Sequence, residues 1–256
     1  FDATTGLEDF SLIQQQLLPT LSRVMHDKGG AKSYGMDERV VPLFYHINKL
    51  GIIETPDDHV YIYVSMRRGG NNIYALDVTD RTDPRLLWVI KGGTGDYTQL
   101  GQTWSTINVE TIKNGAIPET VLIFGGGYDT AQDTASVRPL LGDTTGASVY
   151  IANATTGARL WSGGSDGVAI GDMKYSIPER ITPLDISGDV YIDRLYAADV
   201  GGQIFRFDIN NTNGNPLASS ITGGRIADLA DDTVAGARRF YYAPDVALID
   251  APDGKY

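Results

Sequence analysis

The sequence predicts an all-β protein, and three observations support this class. Glycine accounts for 30 of the 256 residues, well above the roughly 7% of an average protein. Tyrosine is more frequent than phenylalanine, with 14 residues against 7, and short segments rich in Tyr, Val and Ile alternate with glycine-rich turns. This is the usual profile of a chain made of many short strands. A hairpin pattern also recurs along the chain.

The recurring pattern is a short alternating strand that ends in Asp or Asn and is followed by Thr or Gly. Its copies are centred on four residues, Asp2, Asp77, Asn153 and Asp208. These side chains can bond the backbone two residues further on and so begin a turn. Two copies continue into second strands that end at Trp88 and Trp161. The unit is therefore a hairpin, and its tryptophans are most simply packing residues.

The spacing of the copies is irregular, whereas the blades of a propeller usually repeat every 40–50 residues or so. Some intervals therefore hold two blades, or one blade with an insertion. We predict a modified, degenerate β-propeller, with a β-sandwich with long loops as the alternative. Two polar, turn-rich segments, residues 131–146 and 210–216, are predicted to be surface loops.

One segment near the N-terminus departs from the β pattern. Apolar residues fall at helical spacing in residues 7–25, namely Phe10, Ile13, Leu17, Leu18, Leu21 and Val24. Pro19 interrupts this pattern, because proline removes a helical hydrogen bond and clashes with the preceding turn. We expect two short helical pieces, one before Pro19 and one starting at it. Their simplest role is to cover an open propeller edge; partner binding is the alternative.

The organisation of the chain is predicted to be a single propeller domain over residues 1–256. The first residue is Phe1 and the last is Tyr256, where further strands are expected. We therefore interpret the chain as a fragment or processed part of a larger protein.

The charge and composition exclude several classes of function. The formal net charge is −11 and the isoelectric point is near 4.6, so the protein repels phosphate backbones and anionic lipid. Nucleic acid and membrane insertion are not expected. Cysteine is absent, which excludes disulfides, zinc–thiolate sites, iron–sulfur clusters and thiol nucleophiles.

The strongest signal for chemistry lies in residues 185–193. Oxygen-bearing side chains occupy its first, third, fifth and ninth positions, and the backbone carbonyl of the seventh is also available: Asp185, Ser187, Asp189, Asp193 and Tyr191. Calcium takes six to eight oxygen ligands at about 2.3–2.6 Å. The loop is not an EF-hand, because Val190 replaces the glycine of position six and Tyr196 the glutamate of position twelve. A solvated acidic turn is the alternative.

Two weaker features are also open to a functional reading. Arg67 and Arg68 form the one locally basic turn of an acidic chain, and this turn is either a solvated hairpin end or a dock for an acidic partner. Trp104, like the other tryptophans, is predicted to pack between blades, with a platform for a sugar or cofactor as the alternative.

Several segments resemble the C-terminal β-propeller domain of the PilY1/PilC family, the type IV pilus tip-associated adhesins and biogenesis factors. The resemblance runs from Phe1 to about Ile209. Its pieces occur in residues 2–6, 18–19, 34–37, 72–79, 100–105, 124–129 and 176–208. It implies a propeller of about seven blades in an exported protein at the pilus tip, cell surface or outer membrane of a Gram-negative bacterium. Minor pilins of the tip complex are the implied partners, and a host-surface ligand would be bound by an N-terminal region that this chain lacks.

The resemblance also implies a cofactor, Ca²⁺, and its ligands. They would be Asp185, Ser187, Asp189, the Tyr191 carbonyl and Asp193, with Ser187 standing where the family usually has Asp or Asn. In the family, calcium occupancy is linked to the control of pilus retraction and twitching motility. We therefore expect a calcium-binding module that regulates pilus extension and retraction, twitching and surface attachment.

Two alternatives belong to other functional classes. One is a structural platform that docks minor pilins and uses calcium only as a staple. The other is an enzyme, because residues 74–79 and 154–161 also look like the repeat of pyrroloquinoline-quinone dehydrogenase propellers. The chain is too short for eight full blades and has no vicinal cysteine pair. We therefore do not expect an enzyme.

Overall fold

The computed structural model describes residues 2, 4–26, 30, 32–45, 56, 58–251 and 254–255, and most of its strands form three four-stranded antiparallel sheets. The first contains β1 (Val40–Tyr45), β2 (His59–Ser65), β3 (Asn72–Asp77) and β4 (Arg85–Lys91). The second contains β5 (Asn108–Asn114), β6 (Ile117–Gly125), β7 (Ser148–Asn153) and β8 (Arg159–Gly164). The third contains β9 (Thr182–Leu184), β10 (Arg194–Ala198), β11 (Gln203–Ile209) and β12 (Ile221–Asp228).

Each sheet is a meander, in which strands that follow one another in sequence lie side by side. A short hairpin of β13 (Asp250–Ala251) and β14 (Gly254–Lys255) follows. The predicted all-β class is confirmed. Over the described residues the blade-like sheets number three, so the expected set of about seven blades is not reached within them.

The hairpin turns after β3 and β7 form as the sequence predicts. The Thr79 amide donates to Asp77 Oδ1 at 2.9 Å. Likewise, the Thr156 amide donates to Asn153 Oδ1 at 2.9 Å. Asp2 makes the same kind of turn, because it accepts the Thr5 amide at 2.7 Å. In that first copy, Phe1 and Ala3 lie outside the described residues.

The copy at Asp208 is different. Asp208 lies within β11 and accepts hydrogen bonds from Arg194 at 2.7 Å and from Arg206 at 2.8 Å. The turn is begun instead by Asn210, whose Oδ1 accepts the Thr212 amide at 3.0 Å. The prediction that Asp208 starts the turn is therefore wrong, because its carboxylate is engaged by arginines of the sheet.

The three sheets are joined by two apolar cores. The first and second sheets share a cluster that includes Tyr63, Ile73, Phe124 and Tyr150. The second and third share a larger cluster that includes Ile123, Ile151, Trp161, Phe205 and Phe207. Large buried side chains on both sheets exclude water from these contacts, and their burial is the main stabilising contribution to the fold.

Two of the three tryptophans pack between sheets as predicted. Trp88 of β4 donates its indole N–H to the Ala154 carbonyl at 3.2 Å, so it joins the first sheet to the second. Trp161 of β8 meets Phe207 edge to face, with ring centroids 5.5 Å apart. Trp104 differs, because it lies outside the strands and stacks on Tyr128 at 4.6 Å.

Replacing Gly157 by Ala is expected to destabilise the junction between the first two sheets. Gly157 has a φ of +71°, in the left-handed region, and a Cβ there would lie 2.8 Å from the Trp88 ring. Gly214 is the matched control, because its φ is +66° and a Cβ would meet nothing within 4 Å. Both variants carry left-handed strain of roughly 1–2 kcal/mol.

The Gly157→Ala variant should lose about 1–3 kcal/mol more than Gly214→Ala, the usual cost of overpacking a well-packed site. The measurement is the free energy of unfolding in urea for both variants and the parent protein. Equal losses in the two variants would show that Trp88 does not constrain the turn at Gly157.

The N-terminal helical segment is shorter than predicted. It consists of a 3₁₀ turn (Gln15–Leu17) and helix α1 (Leu18–Met25), with Pro19 in the first turn of α1. The predicted break near Pro19 is confirmed, although only one 3₁₀ turn precedes it. No residue of α1 is buried, whereas Leu17 of the preceding 3₁₀ turn packs against an apolar cluster of the first sheet that includes Val64 and Leu76. That the segment covers a propeller edge stays a prediction.

Both predicted surface loops are confirmed. Residues 131–146 contain the end of a 3₁₀ turn (Thr130–Asp133) and no strand, and residues 210–216 contain neither helix nor strand. Arg138 fixes the first loop to the third sheet, because it donates to Asp228 and Asp232 at 2.7 Å each. Within the described part of the chain, no helix is long and apolar enough to cross a membrane.

Candidate metal centre in the third sheet

The acidic loop of residues 185–193 connects β9 to β10, which are neighbouring antiparallel strands. Its two ends are held together by the ladder, in which Arg194 lies opposite Leu184. The Asp193 amide closes the loop by donating to the Leu184 carbonyl at 2.9 Å. The loop is therefore a tight connection fixed at its base by the sheet.

Asp185 organises the start of the loop. Its Oδ1 accepts the Gly188 amide at 2.6 Å, and its Oδ2 accepts the Val190 amide at 2.8 Å. Burial raises the pKa of Asp185, but the bonds from the backbone amides outweigh it and hold the pKa below its usual range. Asp185 is therefore ionised under ordinary conditions.

Val190 marks the strained point of the loop. Its φ is 71°, in the left-handed region that β-branched residues rarely adopt. Its side chain is 71% exposed, so packing does not hold this conformation. The hydrogen bond from its amide to Asp185 provides the local constraint that does.

Ser187 and Asp189 bring two more oxygen atoms to Asp185. Ser187 Oγ lies 3.3 Å from Asp185 Oδ1 and 2.9 Å from Asp189 Oδ1. A hydroxyl has one hydrogen and can satisfy only one of these carboxylates at a time. The structure thus places the oxygens of the first, third and fifth positions together, as the alternating spacing predicts.

Asp193 is joined to this group through the backbone. Its Oδ2 accepts the amides of Ile186 and Ser187 at 2.9 and 3.0 Å. Its Oδ1 accepts Asn211 Nδ2 at 3.2 Å. Asn211 is buried and comes from the loop after β11. The sequence analysis missed this residue, because no local spacing relates it to Asp193.

Tyr191 has a less central position. Its amide donates to Asp189 Oδ1 at 3.2 Å, and its ring lies 4.4 Å from the Lys113 ammonium. Among the residues described, no three acidic or histidine side chains are arranged as ligands of one metal ion. The carboxylates are instead bonded to backbone N–H groups, which leaves lone pairs such as those of Asp189 Oδ2 for other partners.

The charge of the loop is not balanced by ion pairs. In the described part of the chain, no Lys, Arg or His nitrogen forms a salt bridge with Asp185, Asp189 or Asp193. Three carboxylates within nine residues repel one another, and a bound cation would offset that repulsion. The donor set consists only of oxygen, which is the chemistry that Ca²⁺ and Mg²⁺ prefer. The donor types of the loop therefore suit a hard divalent cation, although its carboxylates are not gathered around one ion position in the described residues.

Comparisons with known proteins bear on the whole chain. No family model matches it. The type IV pilus biogenesis factor PilY1 of Pseudomonas aeruginosa strain UCBPP-PA14 is 26% identical over 230 residues, which are 84% of this chain and 17% of that protein. A PilY1 homolog of Xylella fastidiosa strain Temecula1 is 26% identical over 215 residues, which are 82% of this chain and 15% of that protein.

One solved structure gives the fold. The crystal structure of the P. aeruginosa PilY1 C-terminal domain matches 98% of this chain with a TM-score of 0.63 and 24% sequence identity, and the match covers 47% of that domain. The chain therefore spans less than a fifth of the curated relatives and about half of the solved domain. The resemblance to PilY1 that the sequence motifs carry is confirmed.

Proposed function

We propose that the chain is part of the C-terminal propeller of a type IV pilus biogenesis factor and acts there as a calcium-dependent module. The observation that carries the pilus assignment is the similarity to proteins named PilY1 over more than four fifths of the chain. The observation that carries the calcium assignment is the oxygen cluster of Asp185, Ser187 and Asp189, which no ion pair within the described residues neutralises.

The three sheets are proposed to be blades of a larger, modified propeller of about seven. Each is a four-stranded meander, as propeller blades are. The match to about half of the PilY1 C-terminal domain supports this reading. Neighbouring sheets also share apolar clusters of buried side chains, as adjacent blades do.

Calcium would be held by Asp185, Ser187, Asp189, the Tyr191 carbonyl and Asp193. When bound, the ion supplies positive charge that offsets the repulsion among the carboxylates. The chain contributes an ordered loop, because the β9–β10 ladder fixes its ends and the amide bonds to Asp185 and Asp193 fix its path. An ion that binds the ordered loop more tightly than the open loop shifts the equilibrium between these two conformations towards the ordered one.

The regulatory role is proposed to follow from that shift. Extracellular calcium modules have dissociation constants of about 10⁻⁴–10⁻³ M, so ambient calcium would set the occupancy of the loop. We propose that occupancy controls pilus extension and retraction, and with them twitching motility and surface attachment. The domain would be exported and lie at the pilus tip or cell surface, with minor pilins as partners. A binding role of this kind requires no catalytic activity.

In-frame deletion of residues 1–256 from the gene that encodes them tests the pilus assignment. The deletion strain should lose surface pilin and twitching zones, and both should return when the intact gene is restored. The amount of pilin in sheared surface fractions and the zone diameter are the measurements. A deletion strain with normal pili and normal twitching would contradict the assignment.

A second candidate is a structural platform that docks minor pilins, with calcium only as a staple. The constrained position of the loop between two strands favours it, because an ion there would also stiffen the third sheet. The two candidates differ in one outcome. A loop variant that folds and assembles pili normally should change motility only if calcium is regulatory.

A further inference from the structure

A pocket of about 210 Å³ lies among the connections between strands of the first and second sheets. Its walls come from segments far apart in sequence and include three aromatic rings and one arginine: Tyr34, Arg68, Gln102, Trp104, Tyr128 and Asp133. Arg68 lies in the connection between β2 and β3, and Trp104 lies between β4 and β5. The pocket is far in sequence from the acidic loop of the third sheet.

The turn that carries Arg67 and Arg68 is fixed by a buried side chain. Thr103 is 2% exposed, and its Oγ1 accepts the Met66 amide at 2.9 Å and the Arg67 amide at 3.2 Å. Arg67 has a φ of 51°, a left-handed conformation that a side chain rarely adopts without such support. Both guanidinium groups consequently lie near the Trp104 ring, at 5.0 and 5.1 Å from its centroid.

The opposite wall is held by a close backbone contact. Gly69 lies so near Gly35 that a Cβ on Gly69 would overlap the Gly35 carbonyl. This contact brings the neighbouring Tyr34 against Arg68. Arg68 Nη1 donates to the Tyr34 hydroxyl at 3.2 Å, and its guanidinium carbon lies 5.4 Å from the Tyr34 ring centroid. Arg68 thus contacts two aromatic rings, which orient its planar group.

No carboxylate of the described residues forms a direct ion pair with Arg68, although the Tyr34 hydroxyl and the more distant Asp37 and Asp133 raise the pKa of its guanidinium. Arg67 forms an ion pair with Glu38 at 3.7 Å. Asp133 accepts the Tyr128 hydroxyl at 2.8 Å. Among the described residues, none places a carboxylate oxygen within 4.0 Å of the Arg68 guanidinium. A guanidinium has five N–H donors, and within the described part of the chain one of those of Arg68 is used in a hydrogen bond to a side chain.

We propose that this pocket binds a single carboxylate of a partner polypeptide, with Arg68 as its ligand and the Trp104–Tyr128 stack as an apolar wall for the adjoining carbon atoms. Guanidinium and carboxylate match in a planar, two-bonded geometry. Asp133 also lines the pocket, and its repulsion is weaker for a singly charged carboxylate than for a doubly charged phosphate.

The carboxylate can come from an acidic side chain or from a chain terminus, and the same surface chemistry serves both. The inference goes beyond the proposed function and does not rest on calcium, since the pocket and the acidic loop lie on different sheets. The basic turn of Arg67 and Arg68 would then form part of a binding site for a carboxylate.

Three peptides test the proposal by nuclear magnetic resonance of the indole N–H groups. They are acetyl-Ala-Glu-Phe-Ala-amide, acetyl-Ala-Gln-Phe-Ala-amide and acetyl-Ala-Gln-Phe-Ala with a free C-terminal carboxylate. The Trp104→Phe variant assigns the Trp104 resonance, and the Trp88 and Trp161 resonances report that the fold is intact. The Trp104 resonance should shift saturably with one or both carboxylate peptides and not with the fully neutral peptide.

Arg68→Gln should weaken that binding by about tenfold or more, the range expected when a hydrogen bond to a charged group is lost. Arg68→Lys, which keeps the charge without the planar fork, should weaken it less. Arg85→Gln, an exposed arginine on β4, is the control and should bind as the parent does. Equal shifts with the neutral peptide, no shift with either carboxylate peptide, or unchanged binding by a folded Arg68→Gln variant would each overturn the proposal.

Discussion

Replacing Asp185 by Asn is expected to weaken calcium binding by about tenfold or more while leaving the three sheets intact. Asp185 contributes one of the three converging oxygen groups, and its carboxylate also accepts the amides that shape the loop. Asn retains one acceptor oxygen but removes the negative charge. Because affinity for calcium depends on the number of charged ligands, the dissociation constant should rise by roughly tenfold or more.

Isothermal titration of Ca²⁺ into chelator-treated protein measures this change. The matched control is Asp83→Asn, an exposed aspartate in the connection between β3 and β4 that is paired with Arg85. The parent protein and the control should bind one ion, and saturating calcium at about 100 times the dissociation constant should stabilise them by about 2.7 kcal/mol. Identical titrations for Asp185→Asn and the parent protein would place the ion elsewhere.

The stability of the protein is expected to fall as the pH rises from about 5 to 8, because of Asp199. This residue is fully buried, and its Oδ1 accepts the Gly201 and Gln203 amides at 2.9 and 2.8 Å. Burial raises the pKa of Asp199 to about 8, despite those hydrogen bonds, and nearby Asp143 and Asp228 raise it further.

The sign of the effect follows from proton binding. Between the ordinary pKa of 3.8 and about 8, the folded protein keeps the proton that the unfolded chain has lost. The free energy of unfolding then decreases as the pH rises, by up to about 1.4 kcal/mol per pH unit. The pKa values of other carboxylates, such as Asp208 and Asp228, are lowered in the folded protein. These groups change the free energy of unfolding only at pH values below this range.

Asp199→Asn should remove most of this slope, because Asn is neutral at every pH and keeps an acceptor oxygen for the two amides. The slope that remains in the variant should come from groups such as Glu110, whose pKa burial also raises. Urea unfolding at pH 5, 6.5 and 8 measures how the free energy of unfolding depends on pH in each protein. The Asp83→Asn variant should show the same pH dependence as the parent protein. A stability that is constant over this range in the parent protein would contradict the burial argument.

The parts of the fold that were predictable from sequence depend on local interactions. The turns at Asp77 and Asn153 involve residues two or three apart, so the residue types determine them. The convergence of Asp185, Ser187 and Asp189 is local for the same reason. Within such short segments, the backbone has few other conformations that satisfy the polar side chains.

The parts that sequence reasoning missed depend on residues brought together by the sheets. Asp208 lies opposite Arg194 in the β10–β11 register, and that pairing, rather than the turn pattern, determines its role. Asn211 reaches Asp193 from another loop. The pocket at Arg68 likewise requires Tyr34 and Trp104, which no spacing relates. The exposure of α1 depends on what packs against it, which helical periodicity alone does not determine.

The most direct test of the account is the phenotype of a strain that carries only Asp185→Asn. Surface pilin and twitching are measured together and compared with the parent strain, the strain deleted for residues 1–256 and an Asp83→Asn strain. The account predicts that Asp185→Asn keeps surface pilin, unlike the deletion, but alters twitching, while Asp83→Asn behaves like the parent. Normal pili with normal twitching in Asp185→Asn would contradict regulation of the pilus through the loop of residues 185–193.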